Sequence, residues 1–109
     1  MKLAVLLAGA ALLPSAAPAK TVKLGDNYYS PKTLTVKAGT TVKWRWPSFE
    51  EAGDVHDVKL SSGPKGVKKF HSDAASTDYS FKRKLTVPGT YKIVCTLHDD
   101  MKMTIRVKR

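Results

Sequence analysis

Residues 88–102 read PGTYKIVCTLHDDMK, and the order of polar and apolar residues in this stretch decides the fold. The Pro-Gly pair at its start is typical of a chain reversal. Tyr91 and Ile93 then alternate with polar residues, which predicts a strand with one buried face. Cys95 has the same parity, so its sulfur is expected to point inward where the strand ends. His98 follows in a tight loop that leads into another alternating segment.

The same period-two alternation recurs through the chain beyond Ala19, where no segment has good helical periodicity. It predicts about seven short strands, each apolar on one face and rich in lysine and threonine on the other. The inward residues of these strands are Val22 and Leu24; Leu34 and Val36; Val42, Trp44 and Trp46; Val58 and Leu60; Phe81, Leu85 and Val87; Tyr91 and Ile93; and Ile105 and Val107. Antiparallel sheets with one wet face have this pattern, and it favours an all-β Greek-key β-sandwich.

Some residues depart from the alternating pattern. Arg83 takes an inward position on its strand, which the pattern does not explain. Residues 61–78 are rich in Ser, Gly, Lys and Asp and predict a long loop, with a short helix expected around Ser72 to Ser76. His71 lies in this loop, and we expect it to be a solvated residue rather than part of a metal site.

The first residues predict a secretory signal peptide over residues 1–19. A positive start at Lys2 precedes an uncharged apolar run, and Ala17-Pro18-Ala19 is a small-x-small cleavage signature. The apolar run is shorter than the roughly 18 residues that a membrane span needs. We therefore expect export to the periplasm, the cell envelope or the exterior. The mature chain is expected to be one domain, residues 20–109, without a transmembrane segment.

The charge balance limits the classes of partner. The chain has 19 Lys and Arg against 9 Asp and Glu, a formal net charge of +10, which favours anionic partners. Nucleic acid is not expected, because export argues against it and the sequence has no arginine-rich run or helical basic stripe. An acidic protein surface or an anionic envelope polymer is the expected partner. No Ser/His/Asp arrangement, paired carboxylates or phosphate-binding Gly loop is evident, so enzymatic activity is not expected.

Cys95 is the only cysteine, and a lone thiol in an exported protein needs burial, dimerisation or a metal to explain it. His56 and Met101 have inward parity on their strands, so both are expected to meet Cys95 and His98 at one end of the sandwich. A thiolate, two imidazoles and a weak axial thioether suit copper, although zinc can occupy the nitrogen and thiolate ligands. Taken singly, each residue is more often part of the core. In combination they predict a type 1 copper site that alternates between Cu(II) and Cu(I).

Four segments are similar to one known family: Tyr29-Ser30-Pro31, residues 34–44, Val55-His56-Asp57-Val58 and residues 88–102. Together they resemble the cupredoxins of the plastocyanin/amicyanin type, and the resemblance covers essentially all of residues 20–109. It implies a cupredoxin-like sandwich with type 1 blue copper that carries electrons. It also implies that His56, Cys95, His98 and Met101 are the copper ligands.

At several positions the sequence either departs from the family's pattern or matches it in two ways. Met101, three residues after the second histidine, matches amicyanin-like loops, whereas Met103 matches plastocyanin-like loops, and the short loop favours Met101. Asp57 stands where the family usually has an Asn whose amide ties the ligand loops together. It either lowers the reduction potential, by favouring Cu(II), or only faces solvent or caps a turn. Asp99 and Asp100 replace the proline or apolar residue often found beside the loop histidine, which weakens the expected apolar docking patch.

We interpret the sequence as a one-electron carrier, active as a monomer, that docks on a redox partner protein with an acidic surface. A second hypothesis assigns the same ligands to copper sequestration or copper delivery in the cell envelope. A third is a metal-free β-sandwich that acts as an interaction module.

Overall fold

The computed structural model describes residues 18–109, and these form eight strands and one short 3-10 helix at Phe49–Glu51. The strands are β1 (Ala19–Gly25), β2 (Tyr28–Ser30), β3 (Thr33–Lys37), β4 (Thr40–Arg45), β5 (Lys59–Ser62), β6 (Ser80–Leu85), β7 (Gly89–Val94) and β8 (Lys102–Lys108). The predicted signal peptide, residues 1–19, lies outside the described residues except for its last two, and Ala19 begins β1.

The strands form two four-stranded sheets, in the orders β2-β1-β4-β6 and β3-β8-β7-β5. The predicted all-β sandwich is confirmed. Both sheets are mixed, because β1 pairs with β4 in parallel and β3 pairs with β8 in parallel, although the alternation is the pattern typical of antiparallel sheets. Both parallel pairs arise because the chain changes sheet between the two partners. The additional strand, β2, has three residues and only one buried side chain, which is too short for alternation to reveal.

The inward faces of both sheets meet in one core. Trp44 is fully buried, and its ring centroid lies 6.0 Å from those of Phe70 and Phe81. Arg83 faces the same side, with its guanidinium carbon 4.3 Å from the centre of the Phe81 ring. Because β6 is an edge strand, the charged end of Arg83 stays accessible while its stem covers the aromatic cluster. This accounts for the position that the alternation did not explain.

One end of the sandwich carries the β4–β5 connection and the β7–β8 loop. Between these, the segment around residues 72–75 is extended rather than helical, so the predicted short helix is wrong. The backbone of His56 exchanges two hydrogen bonds with Ala75, of 2.9 and 3.0 Å, which draw this segment alongside the connection. Within residues 18–109, no helix has the length and apolar character needed to cross a membrane.

Truncating Ile105 to alanine tests the predicted core. The side chain is fully buried on β8, the strand that pairs with both β3 and β7. Ile105→Ala is expected to lower the free energy of unfolding by about 2–5 kcal/mol, because the lost methyl groups leave a cavity. Urea unfolding measures this change. The matched control Arg106→Ala, exposed on the same strand, should change stability by no more than about 0.5 kcal/mol. Equal effects of the two variants would contradict the assigned core.

Candidate metal centre

Three of the four predicted ligand residues come together at this end of the sandwich. One potential ligand atom each from His56, Cys95 and His98 lies within 4.8 Å of the other two. The two imidazole ring centroids are 5.0 Å apart. These residues come from three places: the connection before β5, the end of β7 and the β7–β8 loop. In residues 18–109, no other group of three potential His, Cys or carboxylate ligands is found.

Met101 closes the short loop that carries the second histidine. Its N–H donates to the carbonyl of His98 at 3.1 Å, and its own carbonyl accepts the N–H of Cys95 at 2.9 Å. The side chains of Met101 and Met103 are both buried, and both belong to the core cluster. Met103 lies on β8, whereas Met101 precedes it. The backbone therefore ties Met101, rather than Met103, to the two loop residues.

Hydrogen bonds from the core fix the segment that carries the first histidine. The Tyr29 hydroxyl donates to the carbonyl of Asp57 at 2.7 Å, and the indole N–H of Trp46 lies 3.2 Å from the carbonyl of His56 and 2.8 Å from that of Ala75. Burial raises the pKa of Tyr29, so the phenol remains a donor at neutral pH. Sequence patterning places both aromatic residues in the core, but it does not reveal this second role.

Each imidazole has one nitrogen occupied by a protein acceptor. Nε2 of His56 donates to the carboxylate of Asp26 at 3.1 Å, and Nε2 of His98 donates to the carbonyl of Val55 at 3.1 Å. In a neutral ring this leaves Nδ1 with a free lone pair. Nδ1 of His56 is buried and has no hydrogen-bond partner among the described residues. A buried, unpaired acceptor beside a thiol is costly unless something binds it, so these residues fit a metal ion.

Asp26 is a functional candidate that sequence analysis missed. It lies in the turn between β1 and β2, and its carboxylate accepts both the N–H of Asp54 and Nε2 of His56. These two hydrogen bonds, the first contributing more, hold the pKa of Asp26 below its ordinary value. The partners are 28 and 30 residues away in sequence, so no local motif signals the contact.

The sulfur of Cys95 lies in a buried pocket with backbone donors. The N–H of Asp57 donates to Sγ at 3.5 Å. Burial raises the pKa of the Cys95 thiol, while the backbone N–H groups of Asp57 and Leu97 act in the opposite direction. The metal-free protein therefore holds a thiol, and the donors are in place for the thiolate that a metal requires.

Comparison with known proteins identifies the family. The family model for copper binding proteins of the plastocyanin/azurin family matches residues 17–108. The chain belongs to this family. Amicyanin-alpha of Methylorubrum extorquens is 32% identical over 107 residues, covering 96% of this chain and 87% of that protein. Plastocyanin of Prochlorothrix hollandica is 36% identical over 107 residues, covering 90% of this chain and 80% of the relative.

Solved structures of this family share the sandwich. An amicyanin variant in its reduced Cu(I) form matches with a TM-score of 0.69 at 25% identity, over 91% of this chain and 89% of that chain. A Cu-containing nitrite reductase from Thermus scotoductus matches with a TM-score of 0.68 at 27% identity, over 89% of this chain and 23% of that chain. The cupredoxin fold predicted from the sequence is confirmed, and the same fold also occurs as a part of a larger enzyme.

Asp57 links the two ligand loops through its carboxylate. Oδ1 accepts the N–H of Thr96 at 2.7 Å, and Oδ2 accepts the Thr96 hydroxyl and Nε2 of His71, the latter at 2.8 Å. Burial acts to raise the pKa of Asp57, but the hydrogen bonds from His71 and Thr96 outweigh it, so the pKa lies below its ordinary value. The interpretation that Asp57 only faces solvent is therefore wrong. His71 is half exposed, as expected for a loop residue, but it has a buried partner.

The buried thiol should be slow to react in the metal-free protein. We expect Cys95 to be alkylated on the order of tenfold or more slowly than in the unfolded chain, because it is 4% exposed and its pKa is raised by burial. The rate of thiol modification with and without urea measures this difference, and Cys95→Ser gives the background. Similar rates in the folded and unfolded chains would contradict the described burial.

Proposed function

We propose that this protein is a one-electron carrier in which His56, Cys95, His98 and Met101 bind a single copper ion. The observation that carries the proposal is the cluster of two imidazoles and a thiol within 4.8 Å, in which the buried Nδ1 of His56 has no other partner within residues 18–109. Family membership supports copper as the metal. A donor set of two imidazoles, a thiolate and a thioether is also typical of type 1 copper sites.

The protein's part is to hold these donors in one arrangement. When bound, copper supplies a centre that accepts and releases one electron. The sulfur donors are soft enough to hold Cu(I), the imidazoles suit both oxidation states, and Cu(II) is stabilised by all four donors. Because hydrogen bonds already fix both rings and the short loop, little rearrangement accompanies a change of charge. No substrate bond is made or broken in this function, so the protein is not proposed to be an enzyme.

His98 is the proposed route for electrons to and from a partner. It is partly exposed, whereas His56 is buried. Two exposed apolar side chains accompany it: Leu97 beside it in the loop, and Val55, whose carbonyl accepts its Nε2 proton. They offer an apolar contact around the exposed ring, next to the acidic pair Asp99 and Asp100.

Export is part of the proposal, with residues 1–19 as the signal peptide. The positive start at Lys2, the apolar run after it and the small residues of Ala17-Pro18-Ala19 support export. Mass spectrometry of the protein recovered from its own cell envelope tests the boundary. A mature chain that begins near Lys20 supports export, and an intact Met1 recovered from the cytoplasm contradicts it.

Spectroscopy of the copper-loaded protein tests the ligands. Residues 20–109 with Cu(II) are expected to be intensely blue, with narrow copper hyperfine splitting in EPR, and Cys95→Ser is expected to lose both properties. Met101→Leu is expected to raise the reduction potential, because a donor that stabilises Cu(II) is removed. The expected size is on the order of tenfold in the equilibrium constant, or about 59 mV.

Met103→Leu is the matched control, since it removes a second buried thioether only two residues further along the chain, on β8. It is expected to leave the spectrum and the potential unchanged. A shift with Met103→Leu but not with Met101→Leu would reverse the axial assignment. Slow electron self-exchange combined with ready release of copper would favour sequestration or delivery over electron transfer. A colourless protein that binds copper loosely would support the metal-free module.

A positively charged strand face supports an acidic redox partner. The outward side chains of β5, β7 and β8 include Lys59, Lys92, Lys102 and Arg106, and the strands themselves carry no acidic residue. Lys59 and Lys102 lie on either side of Val94, next to the metal end of the sheet. Attraction between opposite charges increases association rates and weakens as salt is added.

The rate of electron transfer to an acidic partner is therefore expected to fall as ionic strength rises. Lys102→Glu is expected to reduce that rate several-fold at low salt, because it reverses a charge beside the site. Lys82→Glu, on the outer face of the other sheet, is the control of equal charge change. Stopped-flow kinetics at several salt concentrations measure both variants. Equal effects would indicate that only net charge matters.

A further inference from the structure

Asp57 and His71 form a hydrogen-bonded pair beside Cys95, and neither residue is a proposed ligand. The side chain of Asp57 is 5% exposed and that of His71 is 48% exposed, and Nε2 of His71 donates to Oδ2 of Asp57 at 2.8 Å. A carboxylate that is almost fully buried needs donors to offset the loss of hydration. His71 and Thr96 provide these donors, and His71 is the only one of the two with an ionisable side chain.

Asp57 contacts the region of the thiolate in two ways. Its backbone N–H donates to Sγ of Cys95 at 3.5 Å. Its carboxylate accepts the N–H of Thr96, the residue directly after Cys95, at 2.7 Å. Asp57 therefore contacts the sulfur through its backbone and the residue after Cys95 through its side chain.

The backbone around His71 is held in place, although it belongs to a long connection. The N–H of Leu60 donates to the carbonyl of Phe70 at 3.0 Å, and the N–H of Ser72 donates to the carbonyl of Val58 at 2.8 Å. The Ser72 hydroxyl accepts the N–H of Val58 at 2.9 Å. These bonds attach His71 and its neighbours to the outer edge of β5. The backbone that carries the His71 ring is therefore fixed relative to Asp57.

We propose that His71 is a positioning residue for the copper site, which acts through Asp57 to set the reduction potential. The inference rests on the proposed function. A negative charge beside the thiolate favours Cu(II) over Cu(I) and lowers the potential. A donor hydrogen bond from His71 draws part of that charge away from the sulfur. The hydrogen bond from His71 thus reduces the effect on the thiolate of having a charged carboxylate, rather than an uncharged amide, at position 57.

A double-mutant cycle on the copper-loaded full domain tests this role. His71→Leu removes the donor and is expected to lower the reduction potential, by about threefold to tenfold in the equilibrium constant for reduction, where tenfold is about 59 mV. Asp57→Asn removes the charge and is expected to raise the potential by a similar factor. In the Asp57→Asn background, His71→Leu should change the constant by less than about twofold, because the charge it compensates is gone.

Three further measurements separate this role from a merely structural one. His71→Gln retains an N–H donor and is expected to restore most of the wild-type potential. Lys68→Gln removes an exposed charge from the same connection and is expected to leave the potential unchanged. In the metal-free protein, urea unfolding of the same four cycle members should show non-additive stabilities, which reports the hydrogen bond without any metal.

The outcomes distinguish this inference from the proposed function. A wild-type protein without a type 1 spectrum overturns both. A wild-type protein with that spectrum, in which His71→Leu leaves the potential unchanged or shifts it equally in both backgrounds, overturns the role of His71 alone. Loss of stability without a shift in potential has the same consequence, since it reduces His71 to a structural residue.

Discussion

The hydrogen bonds that Thr96 donates to the carboxylate of Asp57 are the contact on which the metal centre depends. Strands β5 and β7 pair only as far as Lys59 and Val94, so residues 56–58 and 95–96 lie beyond the last backbone pair. The side chain of Asp57 continues the contact where the ladder ends. Because the carboxylate is buried, breaking these bonds would leave unpaired polar groups, and this cost keeps the two loops in register.

Alternation along the strands predicts which residues point inward, and much of the site follows from that. The inward parity of His56 and Cys95 and the short loop around His98 indicate correctly that these side chains meet at one end of a sandwich. However, parity predicts which face of the sheet a side chain lies on, but not which residue or strand it contacts. It therefore misses the parallel pairing of β1 with β4, and it misses Asp26, whose contacts with the site span about thirty residues of chain.

Charged residues are where local pattern and tertiary structure differ most. Arg83 has inward parity and yet stays exposed, whereas Asp57 has outward parity and yet is buried. Arg83 lies on an edge strand, so its long side chain covers Phe81 and still reaches solvent. Asp57 is too short to do so, and it remains buried with three side-chain and backbone donors. The segment around Ser72 is extended for a related reason, since its backbone and hydroxyl are bonded to Val58 rather than to a helix of its own.

The pairing of β8 with β3 places a constraint on the order of events during synthesis. Thr33 pairs with Thr104, so β3 cannot join its sheet until about seventy further residues have been made. Until then, β3 and β7 each expose an unsatisfied edge, and closing so large a loop is slow. An unfinished chain is consequently prone to association with its neighbours. Three of the four proposed ligands, Cys95, His98 and Met101, also lie late in the sequence, so the donor set is complete only after β7 has been made.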